Sequence, residues 1–147
     1  MIRKHMWKVV FIGCLTFVMT GCGFNQHEKK MVGKWKPSIN AKKEIEKRAG
    51  KHFKKMSEKH IAKLTQGIQN KTKGMVFAFK ADGKYEVQYE KDGEAETGTW
   101  KIINGGQVLF IKSDKGKQQN ITIKSLSDQK AELSINETQD LTLLRAN

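Results

Sequence analysis

The chain has 147 residues, of which 28 are basic and 15 are acidic, so its formal net charge at pH 7 is +13. This length provides one domain of ordinary size rather than several, and the positive charge favours anionic partners such as acidic lipid, polyanionic cell-wall material or acidic protein. The only two cysteines, Cys14 and Cys22, exclude a disulfide-rich scaffold.

The first predicted element is an export signal. A basic stretch that ends at Lys8 precedes a run of twelve mostly apolar residues, from Val9 to Thr20. A membrane-spanning helix needs about 20 apolar residues, so this run has the length of the apolar part of a signal peptide rather than of a permanent anchor. We predict that residues 1–21 are a signal peptide.

The four residues Met19-Thr20-Gly21-Cys22 resemble the bacterial lipobox, in which an apolar residue and two small residues precede a modified cysteine. The resemblance implies that the chain is a bacterial lipoprotein precursor and that Cys22 becomes the acylated first residue of the mature protein. Acyl chains would then hold the protein to membrane lipid in the cell envelope. This membrane would be the outer membrane, at its periplasmic face, in a Gram-negative host, or the cell membrane, at its extracellular face, in a Gram-positive host.

Removal of the signal also takes away Cys14 and three basic residues, which leaves 25 basic and 15 acidic residues and a net charge of +10. The mature chain then has no thiol that is free for a disulfide, for thiol catalysis or for a Cys-based zinc site. Residues 22–30 are polar and are predicted to be a lipidated tether, and one domain follows over residues 31–147. Nucleic acid is not an expected partner of an exported lipoprotein.

The domain begins with a strand from Met31 to Lys36, which Pro37 should end because proline cannot donate a ladder hydrogen bond. Over about residues 40–70, apolar side chains recur every three or four residues, which is the spacing of an amphipathic helix. We expect one long helix, or two helices joined near Gly50, with lysines on the polar face. The apolar stripe consists of Ile45, Ala49, Phe53, Met56, His60, Leu64 and Ile68.

From Gly74 onward, short segments of alternating polarity are separated by turn signals such as Asp82-Gly83 and Asn104-Gly105. Asp-Gly and Asn-Gly supply the backbone angles of tight hairpins, so neighbouring strands should pair antiparallel. Together with the first strand the count is eight, which is enough to close an up-and-down barrel. The fold class is therefore mainly β, either a closed barrel or an open, curled meander with the helix over its mouth or face. The predicted strands after the helix span about residues 75–80, 84–90, 94–103, 107–112, 118–125, 130–136 and 139–146.

Several short motifs resemble those of lipocalins and of the lipocalin-like domains found in bacterial lipoproteins. Gly33-Lys34-Trp35 is similar to the Gly-x-Trp signature on the first lipocalin strand, and the resemblance covers about residues 31–146. The other motifs are Phe77-x-Phe79, Asp82-Gly83-x-Tyr85 and Gly98-Thr99-Trp100.

The lipocalin resemblance implies a basic residue on the last strand that packs over the signature tryptophan and seals the closed end of the barrel. Arg145, one of only three arginines, fits that role, and guanidinium stacking on an indole ring is favourable. Gly33, Trp35 and Arg145 would then be structural residues. The helix between the first two strands departs from the lipocalin pattern, and it could cap the open end or occupy the cavity.

The sequence contains no convincing catalytic set, so we expect neither an enzyme nor a cofactor. His52 and His60 lie about 12 Å apart along a helix, which is too far for one metal ion, and no metal site is predicted. The acidic residues around Gly93 lack the dense spacing of a calcium loop, and an exposed acidic hairpin is the better interpretation.

Two binding functions remain. In the first, the barrel interior accepts a small apolar or amphipathic ligand, although ordinary core packing explains the same residues equally well. The residues that would line such an interior are Phe77, Phe79, Tyr85, Val87, Tyr89, Trp100 and Ile102. In the second, the basic helix binds or inhibits an acidic envelope partner. Its contact residues would be Lys47, Arg48, Lys51, Lys54, Lys55, Lys59 and Lys63.

Overall fold

The computed structural model describes residues 25–89 and 93–147. The predicted signal peptide and the predicted acylation site, Cys22, lie outside the described residues. Eight antiparallel strands pair in chain order, and the last pairs with the first to close a barrel. The strands are β1 (Gly33–Ser38), β2 (Val76–Phe79), β3 (Lys84–Gln88), β4 (Glu96–Ile103), β5 (Val108–Ser113), β6 (Gln118–Leu126), β7 (Lys130–Asn136) and β8 (Gln139–Arg145). The prediction of an eight-stranded up-and-down barrel is confirmed, and the open meander is wrong.

Within the described residues, three α-helices accompany the barrel: α1 (Gln26–Met31) precedes β1, while α2 (Ala41–Ala49) and α3 (Glu58–Thr72) lie between β1 and β2. The prediction of one long helix in this insert is wrong, because a 3-10 segment, Gly50–Lys55, separates the two helices and the longer has 15 residues. Gly50 takes a φ of 52°, which ends α2. A new helix then begins at Ser57, whose hydroxyl accepts a hydrogen bond from the backbone of His60. The break therefore falls at the glycine that the sequence offered as the alternative joint.

The first strand starts and ends later than predicted. Met31 belongs to α1, and Pro37 lies within β1 instead of ending it. The pairing of β1 with β2 stops at Trp35, whereas its pairing with β8 continues to Ser38. Pro37 thus lies where β1 has a neighbour on one side only, and such an edge tolerates a residue that has no N–H to donate.

The barrel has two different ends. At the end where β1 begins and β8 finishes, α1 covers the opening, and we call this the closed end. The insert of α2 and α3 leaves from the opposite end, where the β3–β4, β5–β6 and β7–β8 connections also lie. We call this the open end.

The hydrophobic core lies inside the barrel and is built from alternate residues of its strands. Among the described residues, no buried member of this core comes from the insert. The buried members are Met31, Trp35, Phe79, Tyr85, Val87, Trp100, Ile102, Leu109, Ile121, Ala131, Leu133 and Leu143. Ala41 and Ile45 of α2 are also buried but lie outside this cluster. The insert therefore packs as a separate layer and does not fill the barrel.

Substitution of two glycines, Gly98 and Gly67, by alanine should have opposite effects on the free energy of unfolding. A Cβ on Gly98 would overlap the carbonyl oxygen of Lys112 and lie 2.7 Å from Tyr85 Cε1, whereas a Cβ on Gly67 in α3 would meet nothing within 4 Å. We expect Gly98→Ala to lower the free energy of unfolding by about 1–3 kcal/mol because the β4–β5 backbone cannot yield. Gly67→Ala should raise it by up to about 1 kcal/mol through helix propensity. Urea unfolding of both variants measures this, and equal effects would contradict the packing described for β4.

Candidate functional site

The three residues predicted as a structural signature meet at the closed end. The guanidinium carbon of Arg145 lies 4.1 Å from the centre of the Trp35 ring, and Trp35 is fully buried. A Cβ on Gly33 would overlap an Nη of Arg145, and its φ of 135° suits glycine. Gly33 therefore gives the guanidinium room to lie flat on the indole.

Arg145 also holds the backbone at this end of the barrel. Its Nε donates to the carbonyl oxygen of Asp128 at 2.7 Å, and its two Nη atoms donate to Lys30 and Val32 at 2.6 Å each. The Trp35 Nε1 donates to the carbonyl oxygen of Met31 at 2.8 Å. One arginine and one tryptophan thus satisfy carbonyl groups at the end of α1, where no further helical turn follows to donate hydrogen bonds to them.

Helix α1 is a closed-end element that the sequence interpretation missed, because its residues were assigned to the tether. A local signal was present, since Asn25 and Glu28 form a capping box in which each side chain accepts from the other's backbone N–H. Glu28 also accepts a hydrogen bond from the backbone N of Ile102 on β4 at 3.2 Å. Gly106, in the β4–β5 turn, leaves space for His27. Helix α1 is therefore part of the structured domain and not of a tether.

The seven residues predicted to line an interior site pack mainly against one another. Five are buried in the core, while Phe77 is partly buried against it. The rings of Phe79 and Trp100 meet edge to face at 5.3 Å, a favourable aromatic geometry. Tyr89 is 40% exposed at the open end. The five buried residues are Phe79, Tyr85, Val87, Trp100 and Ile102.

The polar groups of these aromatic residues are engaged in the structure. The Tyr85 hydroxyl donates to Glu96 Oε1 at 2.9 Å, and the Trp100 Nε1 donates to the carbonyl oxygen of Lys80 at 3.1 Å. Burial, followed by the hydrogen bond with Glu96, raises the pKa of Tyr85. Tyr85 therefore stays a neutral hydrogen-bond donor at physiological pH, as a structural residue would.

The insert is joined to the outside of the barrel by an ion pair. Asp140 of β8 contacts Lys47 of α2 at 3.2 Å and Lys124 of β6 at 2.8 Å. These residues border a cavity of about 430 Å³ between α2 and the strands β6 to β8. Both cations and carboxylates line it, since the lining also includes Lys43, Glu44 and Glu132. Its charges thus compensate one another locally.

A second concavity lies between α2 and α3, and we call it the helix-pair groove. It has a volume of about 670 Å³ and is lined by Ile45, Arg48, Ala49, Met56, His60, Lys63, Leu64, Gly67, Ile68 and Lys71. Six of the seven residues in the predicted apolar stripe line it, and Phe53 is the exception. Leu64 remains 39% exposed there. The amphipathic pattern therefore produces an apolar groove at the surface instead of a plug in the barrel.

The predicted interaction surface divides between several places on the insert. All seven of its cations are exposed. Arg48 and Lys63 line the helix-pair groove, Lys47 lies at the pair with Asp140, and the other four line neither concavity. The sequence interpretation missed Lys71 and Gly67 of the groove, although their spacing from Lys63 and Leu64 on one helix would have placed them together.

Within residues 25–89 and 93–147, no three side chains of the metal-binding types come together. None of the helices in this same part of the chain combines the length and the apolar composition that crossing a bilayer requires.

The fold and the closed end define a small, single-domain β-barrel whose first and last strands are joined by an arginine over a tryptophan. A family model described as a lipocalin-like domain matches residues 31–133, and the chain belongs to this lipocalin-like family. The comparison with curated proteins found no match.

Two solved structures share the fold. The NMR structure of a protein from Bacteroides uniformis is 15% identical, covers 82% of this chain and 92% of its own, and has a TM-score of 0.51. The crystal structure of a DUF4847 family protein from Bacteroides vulgatus is 16% identical, covers 84% of this chain and 98% of its own, and has a TM-score of 0.55. At this identity the likeness concerns the fold alone.

Truncation of Arg145 tests the closed end. We expect Arg145→Ala to lower the free energy of unfolding by about 2–4 kcal/mol, because three carbonyl groups lose a charged donor and the indole loses its cation. Arg145→Lys should recover less than half of this, since an ammonium lacks the planar fork. Arg48→Ala is the matched control, because the Arg48 side chain is 54% exposed and forms an ion pair with Glu44 of its own helix; its loss should cost less than about 1 kcal/mol. Urea unfolding gives all three values, and similar losses for Arg145→Ala and Arg48→Ala would contradict the proposed seal.

The attachment of the insert should depend on acid pH through Asp140. Hydrogen bonds from Lys124 and then Lys47 lower the pKa of Asp140 from 3.8 to about 2. The carboxylate therefore stabilises the fold fully above pH 4, and this contribution disappears as the pH falls through about 2. Because the pair is exposed, we expect Asp140→Asn to cost less than about 1 kcal/mol at pH 6. Urea unfolding should show that the difference in unfolding free energy between Asp140→Asn and the unchanged protein disappears near pH 2. A difference that persists at that pH would contradict the prediction.

Proposed function

We propose that this chain is a membrane-anchored lipoprotein of the bacterial cell envelope whose lipocalin-like domain binds a small amphipathic ligand without catalysis. The observation that carries this proposal is the helix-pair groove, which combines an apolar floor with basic side chains at a surface. Ligand sites of proteins are typically concave, mostly apolar and supplied with a few polar groups, with volumes of about 300–1,000 Å³. The groove has these properties at about 670 Å³.

The barrel interior is the weaker place for the ligand. Five of its seven predicted lining residues are buried members of the domain's core, and the rings of Phe79 on β2 and Trp100 on β4 are in contact there. Opening a cavity there would remove packing that a domain of this size needs. The groove, by contrast, can accept a ligand without loss of the core.

The anchor is supported by the lipobox resemblance at Cys22 and by the position of the domain's first helix. Cys22 precedes Asn25, the N-cap of α1, by three residues, which span at most about 11 Å. An acyl chain on Cys22 would therefore hold the closed end close to a membrane. Two or three acyl chains give firm attachment, whereas one gives marginal binding.

The absence of catalysis is proposed from the chemistry of the polar contacts. In the part of the chain that the structure describes, no side-chain hydrogen bond joins a hydroxyl to a histidine. The carboxylates that accept hydrogen bonds there take them from lysine, arginine, amide, hydroxyl or backbone donors. Nucleophilic catalysis needs a base within hydrogen-bond reach of the nucleophile.

A second candidate function is the binding of an acidic envelope protein. It is favoured by four exposed lysines of the insert that take no part in the ion pairs of the described residues. They are Lys51, Lys54, Lys55 and Lys59, which lie along the 3-10 segment and at the start of α3. Charged partners of this kind would associate faster at low salt.

Intact and native mass spectrometry test the proposed function. The full-length chain and its Cys22→Ser variant are produced in a bacterial host, and each is purified from the membrane and the soluble fraction. We expect the unchanged protein in the membrane fraction, cleaved before Cys22 and heavier by its acyl groups, and carrying a small molecule that dissociates on activation. The variant should be soluble and unacylated. An unacylated protein in the soluble fraction would refute the anchor, and an unliganded native mass in every preparation would refute ligand binding.

A further inference from the structure

The basic side chains of the helix-pair groove face no acid within the groove. Among the described residues, its lining includes Arg48, His60, Lys63 and Lys71 but no carboxylate. Arg48 pairs with Glu44 outside the groove, whereas Lys63 and Lys71 take part in no ion pair of the described residues. The groove therefore offers uncompensated positive charge beside an apolar floor, which complements a ligand that is anionic at one end and apolar along its length.

Gly67 is an independent sign that the groove is kept open. It lies inside α3 with an ordinary helical φ, and a Cβ there would meet nothing within 4 Å. Neither a turn nor a close contact requires a glycine at this position, yet glycine in a helix costs up to about fivefold in helix stability relative to alanine. Any larger side chain would project into the groove, so the glycine maintains its depth at the centre of the wall.

The length of the groove suits an acyl chain better than a protein helix. From His60 to Lys71 the α3 wall rises about 16 Å, and the groove's 670 Å³ is of small-ligand size. Lys63 and Lys71 are two helical turns apart and stand on either side of Leu64 and Ile68. A single chain can thus lie on the apolar floor while its acidic head reaches one of the lysines.

The topology places this groove away from the anchoring membrane. The insert leaves the barrel at the open end, and α1, which follows Cys22 closely, covers the opposite end. Strands of four to nine residues, tilted to the barrel axis, separate the two ends by roughly 10–25 Å. If the closed end is held at the bilayer as proposed above, the groove faces the aqueous side.

We propose that the helix-pair groove binds a monomeric, single-chain anionic amphiphile, such as a medium-chain fatty acid, taken from the aqueous side and not from the anchoring bilayer. The assignment of the ligand class rests on the proposed function, since it names the ligand of that site. The acyl chain lies along Ile45, Leu64 and Ile68, and the acidic head pairs with Lys63 or Lys71.

Calorimetric titration of the lipidated, full-length mature protein tests this inference. The protein is held in nanodiscs of zwitterionic phosphatidylcholine and titrated with octanoate and decanoate below their micelle concentrations, with empty nanodiscs as the background. A buried methylene strengthens binding by up to about fourfold, so decanoate should bind roughly tenfold tighter than octanoate. Decanol should bind more weakly than decanoate because it lacks the charge.

Matched variants locate the site. Gly67→Leu fills the groove without straining the helix and should weaken decanoate binding at least about tenfold while the melting temperature is maintained. Gln66→Leu adds the same side chain to α3 outside the groove lining and should leave binding unchanged. Lys63→Glu with Lys71→Glu should weaken decanoate but not decanol, whereas Lys51→Glu with Lys54→Glu should alter neither.

Several outcomes would overturn the inference. The first is the absence of saturable heat above that of empty nanodiscs. The second is decanoate binding that survives Gly67→Leu, and the third is an affinity that does not increase from octanoate to decanoate. Co-sedimentation with phosphatidylglycerol vesicles is the remaining arm. Vesicle binding that requires an open groove, without binding of free decanoate, would assign the groove to a membrane and refute the monomeric source.

The failure of this inference can be told apart from failure of the proposed function. A different small molecule in the native mass spectrum, with no decanoate binding, would refute the fatty-acid class and leave the binding function intact. A protein without acyl groups on Cys22 would refute the anchor, and with it the orientation of the groove, whatever the titration gives.

Discussion

The contact between Arg145 and Trp35 joins the last strand of the barrel to the first, and the rest of the structure depends on it. Arg145 lies on β8, the strand that closes the barrel against β1, and its guanidinium also binds the carbonyl groups of Lys30 and Val32. Those carbonyl groups end a six-residue helix, which is too short to be stable alone. A residue with five donors in a planar fork can satisfy them together while it covers an indole face. The pairing of β8 with β1, which closes the barrel, and the docking of α1 over the closed end are therefore coupled through the Arg145 side chain.

This coupling leaves the insert free of the core. The barrel and α1 bury their own apolar residues, with Met31 and Trp35 fully inside, so α2 and α3 are not needed to complete the hydrophobic cluster. The insert is fastened from outside, where Asp140 meets Lys47. Segments carried by a rigid scaffold in this way are where proteins place binding residues. The exposed apolar floor of the helix-pair groove fits that division, since its Leu64 would have been buried if it served the core.

Much of the fold could be predicted from local pattern. Alternation along the later segments and the Asp-Gly and Asn-Gly turns predicted strands whose bounds differ from the observed ones by a few residues at most. The motifs Gly33-Lys34-Trp35 and Gly98-Thr99-Trp100 pointed to a lipocalin-like domain, the family to which the chain belongs. Helix α1 was missed because its short, polar sequence has no apolar stripe, and its stability comes from docking. Pro37 was misjudged because the one-sided pairing of β1 at that point is a property of the closed sheet.

The sequence by itself determined the eight strands, their antiparallel order, the amphipathic character of the insert and the basic charge of its surface. These follow from residue periodicity and turn chemistry, which act over a few neighbouring residues. The tertiary structure decided that the meander closes, that α1 seals one end, and that Arg48 of α2 and Lys63 of α3 line the same open groove. These contacts join residues far apart in the chain, and they depend on strand register and helix packing, which no local pattern encodes.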